Sequence, residues 1–185
     1  MTNFLLQFCF IFLWGSAFIA AKLGLGDAGP FSMLATRFII VTLIFSLLVL
    51  VFKRSWPKLY QFPHIFLVGI LLHGLYLGGV FFAISVGTPA GISSLIVSLH
   101  PVLTCVFAVT IIRENIRFDQ WIGIILGIIG VYIVTWPRLG GEVPTLGFFS
   151  CIISLIGMSY ATIHQKKYLN EMDILGGNAL QALAA

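Results

Sequence analysis

The chain has 185 residues, 59% of them hydrophobic and 9% charged, with a mean hydropathy of +1.08 and a net charge of +4. Water-soluble domains carry about 25% charged residues, so this chain has too little polar surface to cover a globule and its solvent is a lipid bilayer. The positive charge builds no nucleic-acid surface, because the charged residues stand between apolar runs; no nucleic-acid partner is expected.

A bilayer admits helices or closed barrels, since every backbone polar group must be satisfied inside the fold. Barrel strands alternate apolar and polar residues. Here the apolar runs are continuous and reach the roughly 20 residues of a membrane-spanning helix, so the fold class expected is an all-α, polytopic transmembrane bundle. Six spans are predicted in chain order, over residues 3–25, 31–52, 64–86, 91–112, 119–136 and 146–165. The breaks between them are a Gly26–Pro30 turn, a basic loop from Lys53 to Pro63, a tight turn at Gly87-Thr88-Pro89-Ala90, a charged stretch from Arg113 to Phe118, a loop from Pro137 to Thr145 with Gly140-Gly141 and Pro144, and a polar segment from Gln165 to Asp173. The first span mimics a signal peptide with Gly15-Ser16-Ala17, but its start lacks positive charge and its apolar run continues, so it is retained. After Asp173 the twelve residues ILGGNALQALAA cover about 18 Å as a helix, the first half of a seventh span in a chain that reads as cut short.

The second, fourth and sixth connections hold Lys53, Arg54, Lys58, Arg113, Arg117, Lys166 and Lys167, and the opposite side holds only Arg138. Basic connections stay in the cytosol, which places the N-terminus there. Trp56, Trp121 and Trp136 fall near the predicted interfaces, where amphipathic rings settle. The segment 147–169 echoes 3–25, with Lys166 in the place of Lys22. An odd number of spans separates the two copies, so the second is inverted in the membrane, the construction of many secondary transporters.

His73 and His100 each lie about ten residues into the third and fourth spans, roughly 14 Å deep and so near the midplane. Pro101 follows His100 and removes a helix hydrogen bond, freeing the carbonyl of Val97. Ser94, Ser98 and Cys105 share a stripe with Pro101, Ser93 and Thr104 share one with His100, and Tyr76 is one turn from His73. Ionisable groups at this depth are costly and mark function; a substrate site between the third and fourth spans is expected, the alternative being histidines that pin helices together through hydrogen bonds. Lys22 and Arg37 fall inside spans near the outer side, where they line a vestibule attractive to anions, or snorkel. Glu114, beside Arg113 and one turn from Arg117, reads as a surface ion pair. Gly123, Gly127 and Gly130 form a small-residue ridge for close helix contact, and Gly15-Ser16-Ala17 does the same beside Trp14. Cys9, Cys105 and Cys151 read as small buried hydrophobes; no disulfide, metal or cofactor is expected.

WGSAF with a lysine soon after, GPFSMLATRF, and PAGISSLIVSLHPVLTCVFAVTIIRENIRFDQWIGIILGIIGVYIV together resemble the first repeat of EamA-type proteins of the drug/metabolite transporter superfamily. The resemblance rests on Trp14-Gly15, Pro30, Arg37, Ala90, Pro101, Glu114, Gly123, Gly127 and Gly130, and covers residues 3–136. It implies a multi-pass inner-membrane permease of two inverted five-helix repeats that exports amino acids, drugs or other metabolites by alternating access. Residues 1–137 would be the first repeat and 146–185 the start of a truncated second, whose missing wall a partner or self-association would supply. The substrate-binding candidates are Trp14, Lys22, Arg37, His73, Tyr76, Ser98, His100 and Pro101, with no catalytic residue. A membrane-embedded enzyme is the alternative, although no GxSxG or HExxH occurs; a scaffold subunit that transports nothing is a third.

Overall fold

The computed structural model describes residues 2–25, 29–115, 117–138, 141 and 143–185. The turn expected at 26–28, the middle of the charged stretch at Ile116, and Gly140 in the 137–145 loop lie outside the described residues. Most of the described residues are helical. The six predicted spans are present as Leu5–Gly24, Pro30–Val51, Leu59–Ser85, Ala90–Ile112, Phe118–Arg138 and Thr145–Tyr168, each long and apolar enough to cross a membrane.

Only the first, second and sixth spans are plain α-helices along their whole length: α1 (Thr2–Gly24), α2 (Pro30–Val51) and α8 (Thr145–Tyr168). The third starts with a 3-10 turn at Leu59–Gln61, runs as α3 (Phe62–Val68), widens into a π-helical segment at Gly69–Leu75 and continues as α4 (Tyr76–Ser85). The fourth breaks into α5 (Ala90–Val97) and α6 (His100–Phe107) and closes in a π-helical turn at Ala108–Ile112. Pro101 has no N–H to continue the ladder, and the backbone tightens at the break, where the Leu99 N–H donates to the Ile96 carbonyl at 3.2 Å. The fifth span is α7 (Phe118–Thr135) with a 3-10 extension over Trp136–Arg138. The partial seventh is α9 (Ile174–Ala184), capped by the Asp173 carboxylate, which accepts from the N–H groups of Leu175 and Gly176 at 2.9 and 3.2 Å.

Connections two, four and six lie at one end. Lys166 pairs with Glu114 across the last two, and Arg54 Nε stands 3.9 Å from the Asp173 carboxylate across the first and third. At the other end, a Cβ on Gly87 would meet Pro144 at 3.8 Å. The alternation of spans is thus closed at both ends. Lys22 and Lys166 each occupy the last turn of their helix, at opposite ends of the bundle. The expectation for Glu114 needs one correction: its partner is Lys166 on α8, while Arg117 pairs with Asp119 at 3.1 Å. Trp56, Trp121 and Trp136 are all exposed, as interfacial rings should be.

The sixth span is the centre. Half of its best apolar window is buried, 50% against 11% in the first and fifth spans. Small residues make this possible. A side chain on Gly79 would collide with Ser154, one on Gly157 would lie 2.7 Å from Leu75 Cδ2, and one on Gly147 would strike Thr88. Backbones can therefore approach closely, and serine hydroxyls hydrogen-bond across the gap: Ser150 Oγ donates to the Gly79 carbonyl at 2.8 Å, and Ser154 Oγ reaches the Leu75 carbonyl at 3.4 Å, at the end of the π-helical segment.

The ridge expected to pack is not the one that does. A Cβ on Gly123 or Gly130 of α7, or on Gly15 of α1, would have nothing within 4 Å, and one on Gly127 would only approach Val102 at 3.4 Å. The fifth span touches the bundle along α5 and at Val102, and its glycines otherwise face outward beside exposed Ile122, Leu126 and Ile133. The cysteines also differ among themselves, since Cys151 is buried, Cys105 half-buried and Cys9 exposed.

Candidate functional site

Four of the eight candidates come together around the π-helical segment of the third span. Trp14 on α1 stacks on Tyr76, with ring centroids 6.5 Å apart and planes 13° from parallel. Tyr76 is buried in a core with Phe18, Val80, Val97 and Met158. One turn earlier His73 meets the edge of Phe38 on α2 at 6.1 Å. Arg37, next to Phe38, is the electrostatic neighbour of both the His73 imidazole and the Tyr76 phenol, and the Gln181 amide of α9 lies beside His73. Gln181 is itself fully buried and donates to Gln165 Oε1 at 3.4 Å. The group thus joins α1, α2, the third span and α9, with two aromatic faces, one imidazole and one guanidinium.

The π-helical turn explains why these residues converge. An extra residue per turn rotates the later part of a helix relative to the earlier part, and such turns concentrate at functional sites. It sets His73 towards α2 and α9 and Tyr76 towards α1. Beside it, a cleft of about 670 Å³ opens between α2, the third span at Gly74 and Gly78, and α9, with Phe38 in its wall.

His100 does not join this group, which corrects the expectation of one site shared by two histidines between the third and fourth spans. Its Nδ1 lies 3.1 Å from Ser159 Oγ on α8 and 3.3 Å from Thr104 Oγ1 one turn on. The reason is the sixth span, which packs against α4 and α6 alike and takes up the hydrogen bond of His100. Pro101 and Ser98 are exposed at the break. Ser98 Oγ donates to its own Leu95 carbonyl at 2.6 Å and lines, with Ser94, Val134 and Arg138, a separate cavity of about 440 Å³ between α5 and the end of the fifth span. Lys22 is exposed and makes no ion pair among the described residues.

Three residues of consequence had not been singled out. Ser159 and Gln181 are polar, buried and hydrogen-bonded; nothing in their sequence neighbourhood marks them. The third is His164, whose Nε2 lies 2.9 Å from Nδ1 of His64 on α3. Its signal was present in the sequence, since Tyr160, His164 and Tyr168 recur at steps of four and so share one helical face.

The profile of the EamA-like transporter family matches residues 1–136. Among curated proteins, an uncharacterized transporter of Archaeoglobus fulgidus is 26% identical over 164 residues, which is 85% of this chain and 55% of the relative. The uncharacterized transporter YvbV of Bacillus subtilis is 29% identical, covering 97% of this chain and 58% of its own length. A probable amino-acid metabolite efflux pump of Escherichia coli is 25% identical over 87% of this chain and 52% of the pump. The chain therefore spans about half the length of the curated relatives it matches. No solved structure gives a significant match. With six apolar spans and a profile match over most of its length, the chain is a multi-pass membrane protein and belongs to the EamA-like transporter family.

Proposed function

We propose that this chain forms one wall of an inner-membrane secondary transporter, N-terminus cytosolic, that moves small carboxylate-bearing amphipathic metabolites of the amino-acid type. The carrying observation is the convergence of Trp14, Arg37, His73 and Tyr76 around the π-helical segment of an otherwise apolar bundle, with Tyr76 buried, His73 half-buried, and Arg37 and Trp14 exposed beside them. Arg37 sits about 10 Å along α2, has no carboxylate partner among the described residues, and offers a planar fork suited to a carboxylate. The exposed Trp14 ring, backed by buried Tyr76, offers an apolar face to the remainder of the solute. The name of the Escherichia coli relative supports the substrate class.

Alternating access would use the two irregular spans, with the α5–α6 break as the hinge in the fourth and the π-helical segment as the hinge in the third. A path through the membrane needs a second wall, supplied by a further repeat or by a second copy. Residues 1–137 serve in this reading as one repeat and 146–185 as the opening of the next. Lys22, Ser98 and Pro101 then belong to the approach, and His100 is a structural tie to α8. The reading includes no catalytic step.

Proteoliposomes test it. Counterflow of labelled amino acids should be measurable, and Arg37→Gln should raise KM at least tenfold for carboxylate substrates but not for their amides. Undiminished exchange in Arg37→Gln and Trp14→Ala would refute the site. Absence of any flux, alone or with a second repeat supplied in trans, would favour a scaffold role.

A further inference from the structure

At the end bearing the basic connections, the third and sixth spans are joined by two imidazoles in contact, His64 Nδ1 and His164 Nε2, 2.9 Å apart. Both rings are half-buried. The Tyr168 ring lies flat on His64, centroids 4.6 Å apart and planes 2° from parallel, and also touches His164 at 4.6 Å. Tyr160 flanks His164 from the other side at 5.8 Å.

We propose that His64 and His164 form a proton-operated clamp between the third and sixth spans, closed when the pair carries no added proton or one, and open when it carries two. The proton inventory of the rings leads to this directly. A neutral imidazole has one N–H and one lone pair. In the neutral pair one ring donates across the contact and the other accepts. A first proton from water adds to the outer nitrogen of the donor ring; the N–H···N contact survives and gains charge assistance, and the flat Tyr168 face is placed to receive the cation. A second proton has only the acceptor nitrogen to bind. It removes the lone pair that made the contact and leaves two cations side by side.

Among the described residues no carboxylate hydrogen-bonds or ion-pairs with either ring, Glu171 of the sixth connection included. Lys167 acts electrostatically on His164, with its ammonium 5.3 Å over the Tyr168 ring, and so adds to the opposition. Glu114, the nearby carboxylate on the fourth connection, is taken by Lys166, and Asp173 caps α9 beside Arg54. The α9 helix contributes no titratable side chain. The other titratable groups on the helical elements packed against α3 and α8 are Tyr60, His73, Tyr76, His100 and Cys105, and none hydrogen-bonds to either ring of the pair. Imidazole is the side chain whose ordinary titration lies nearest neutrality, which suits the residue type to a proton-operated contact. Its use as the proton-coupling point of transport rests on the function proposed above; the clamp itself does not.

The test is histidine side-chain 15N NMR of the full chain in micelles from pH 8 to pH 4.5, with amide exchange over α3 followed in parallel. The expected result is that His64 and His164 move together through two steps at least about one pH unit apart, and that exchange over α3 rises at least tenfold at the second. In His64→Gln, whose amide still hydrogen-bonds but takes no proton, His164 titrates in one step and the acid rise in exchange is lost; His164→Gln mirrors this. Independent one-step titrations unchanged in either variant, or an exchange rise of equal size in His64→Gln, would overturn the clamp. Since no solute is present, either result stands apart from whether the protein transports.

Discussion

Lys166, in the last turn of α8, donates to the carboxylate of Glu114, 52 residues earlier in the chain, and ties the fourth connection to the sixth. Both side chains are about half exposed, 57% and 45%, so solvent screens the pair and its contribution is about 0.2–1 kcal/mol. Lys166→Met and Glu114→Gln should each lower the unfolding free energy in mild detergent by no more than that. The charge-swapped double variant Glu114→Lys/Lys166→Glu should recover most of the loss, as read from denaturant-induced unfolding at low salt.

Glycine substitutions should separate by helix and not by spacing. Gly79→Ala and Gly157→Ala force a Cβ into Ser154 and Leu75, and overpacking a tight contact costs about 1–3 kcal/mol. Gly123→Ala and Gly130→Ala meet open space and should be neutral or stabilising by up to about 1 kcal/mol, because alanine favours the helix. Thermal melting of the four variants side by side checks the ranking; equal losses in the two pairs would contradict the packing described.

The tie between His100 and Ser159 joins the fourth and sixth spans. Ser159→Ala should cost about 0.6 kcal/mol and no more than about 1.7, the average and the upper end for hydrogen bonds between membrane helices. His100→Asn, able to keep one hydrogen bond, should cost less than His100→Leu. Unfolding in detergent measures all three, and a His100→Leu variant as stable as the parent would show the bond to be idle.

Sidedness is open to direct labelling. Single cysteines at Ser55 and Tyr168 should react with a membrane-impermeant maleimide only from the cytosolic face, and cysteines at Ser85 and Leu146 only from the outer face. The opposite pattern in intact cells would invert the orientation proposed from the basic connections.

The spans were legible in the sequence because their length and apolarity follow from bilayer thickness alone, and the helix break at Pro101 because a missing N–H is a local fact. Contacts between helices were far less so. The regular spacing of Gly123, Gly127 and Gly130 invited a packing face, whereas the glycines that pack, Gly79, Gly147 and Gly157, carry no such rhythm; closeness there depends on which helix lies opposite. His73 and His100 share a depth but not an azimuth, since the π-helical segment turns one towards α2 and α9 while the Pro101 break turns the other to α8. Trp14, Arg37, His73 and Tyr76 could be nominated from residue type and depth; that they meet needed the wide turn at Gly69–Leu75. The His64–His164 contact was passed over because both lie near span ends, where histidines attract little notice.

The dominance of α8 has a consequence for biogenesis. The ribosome releases the five earlier spans before the segment against which the third and fourth pack has been made. Until about residue 168 clears the translocon, those helices are held in the membrane mainly by their own greasiness, and their seryl and histidyl groups lack mates. Nascent chains halted short of that point should be prey for quality-control proteases, and those halted just beyond it should escape.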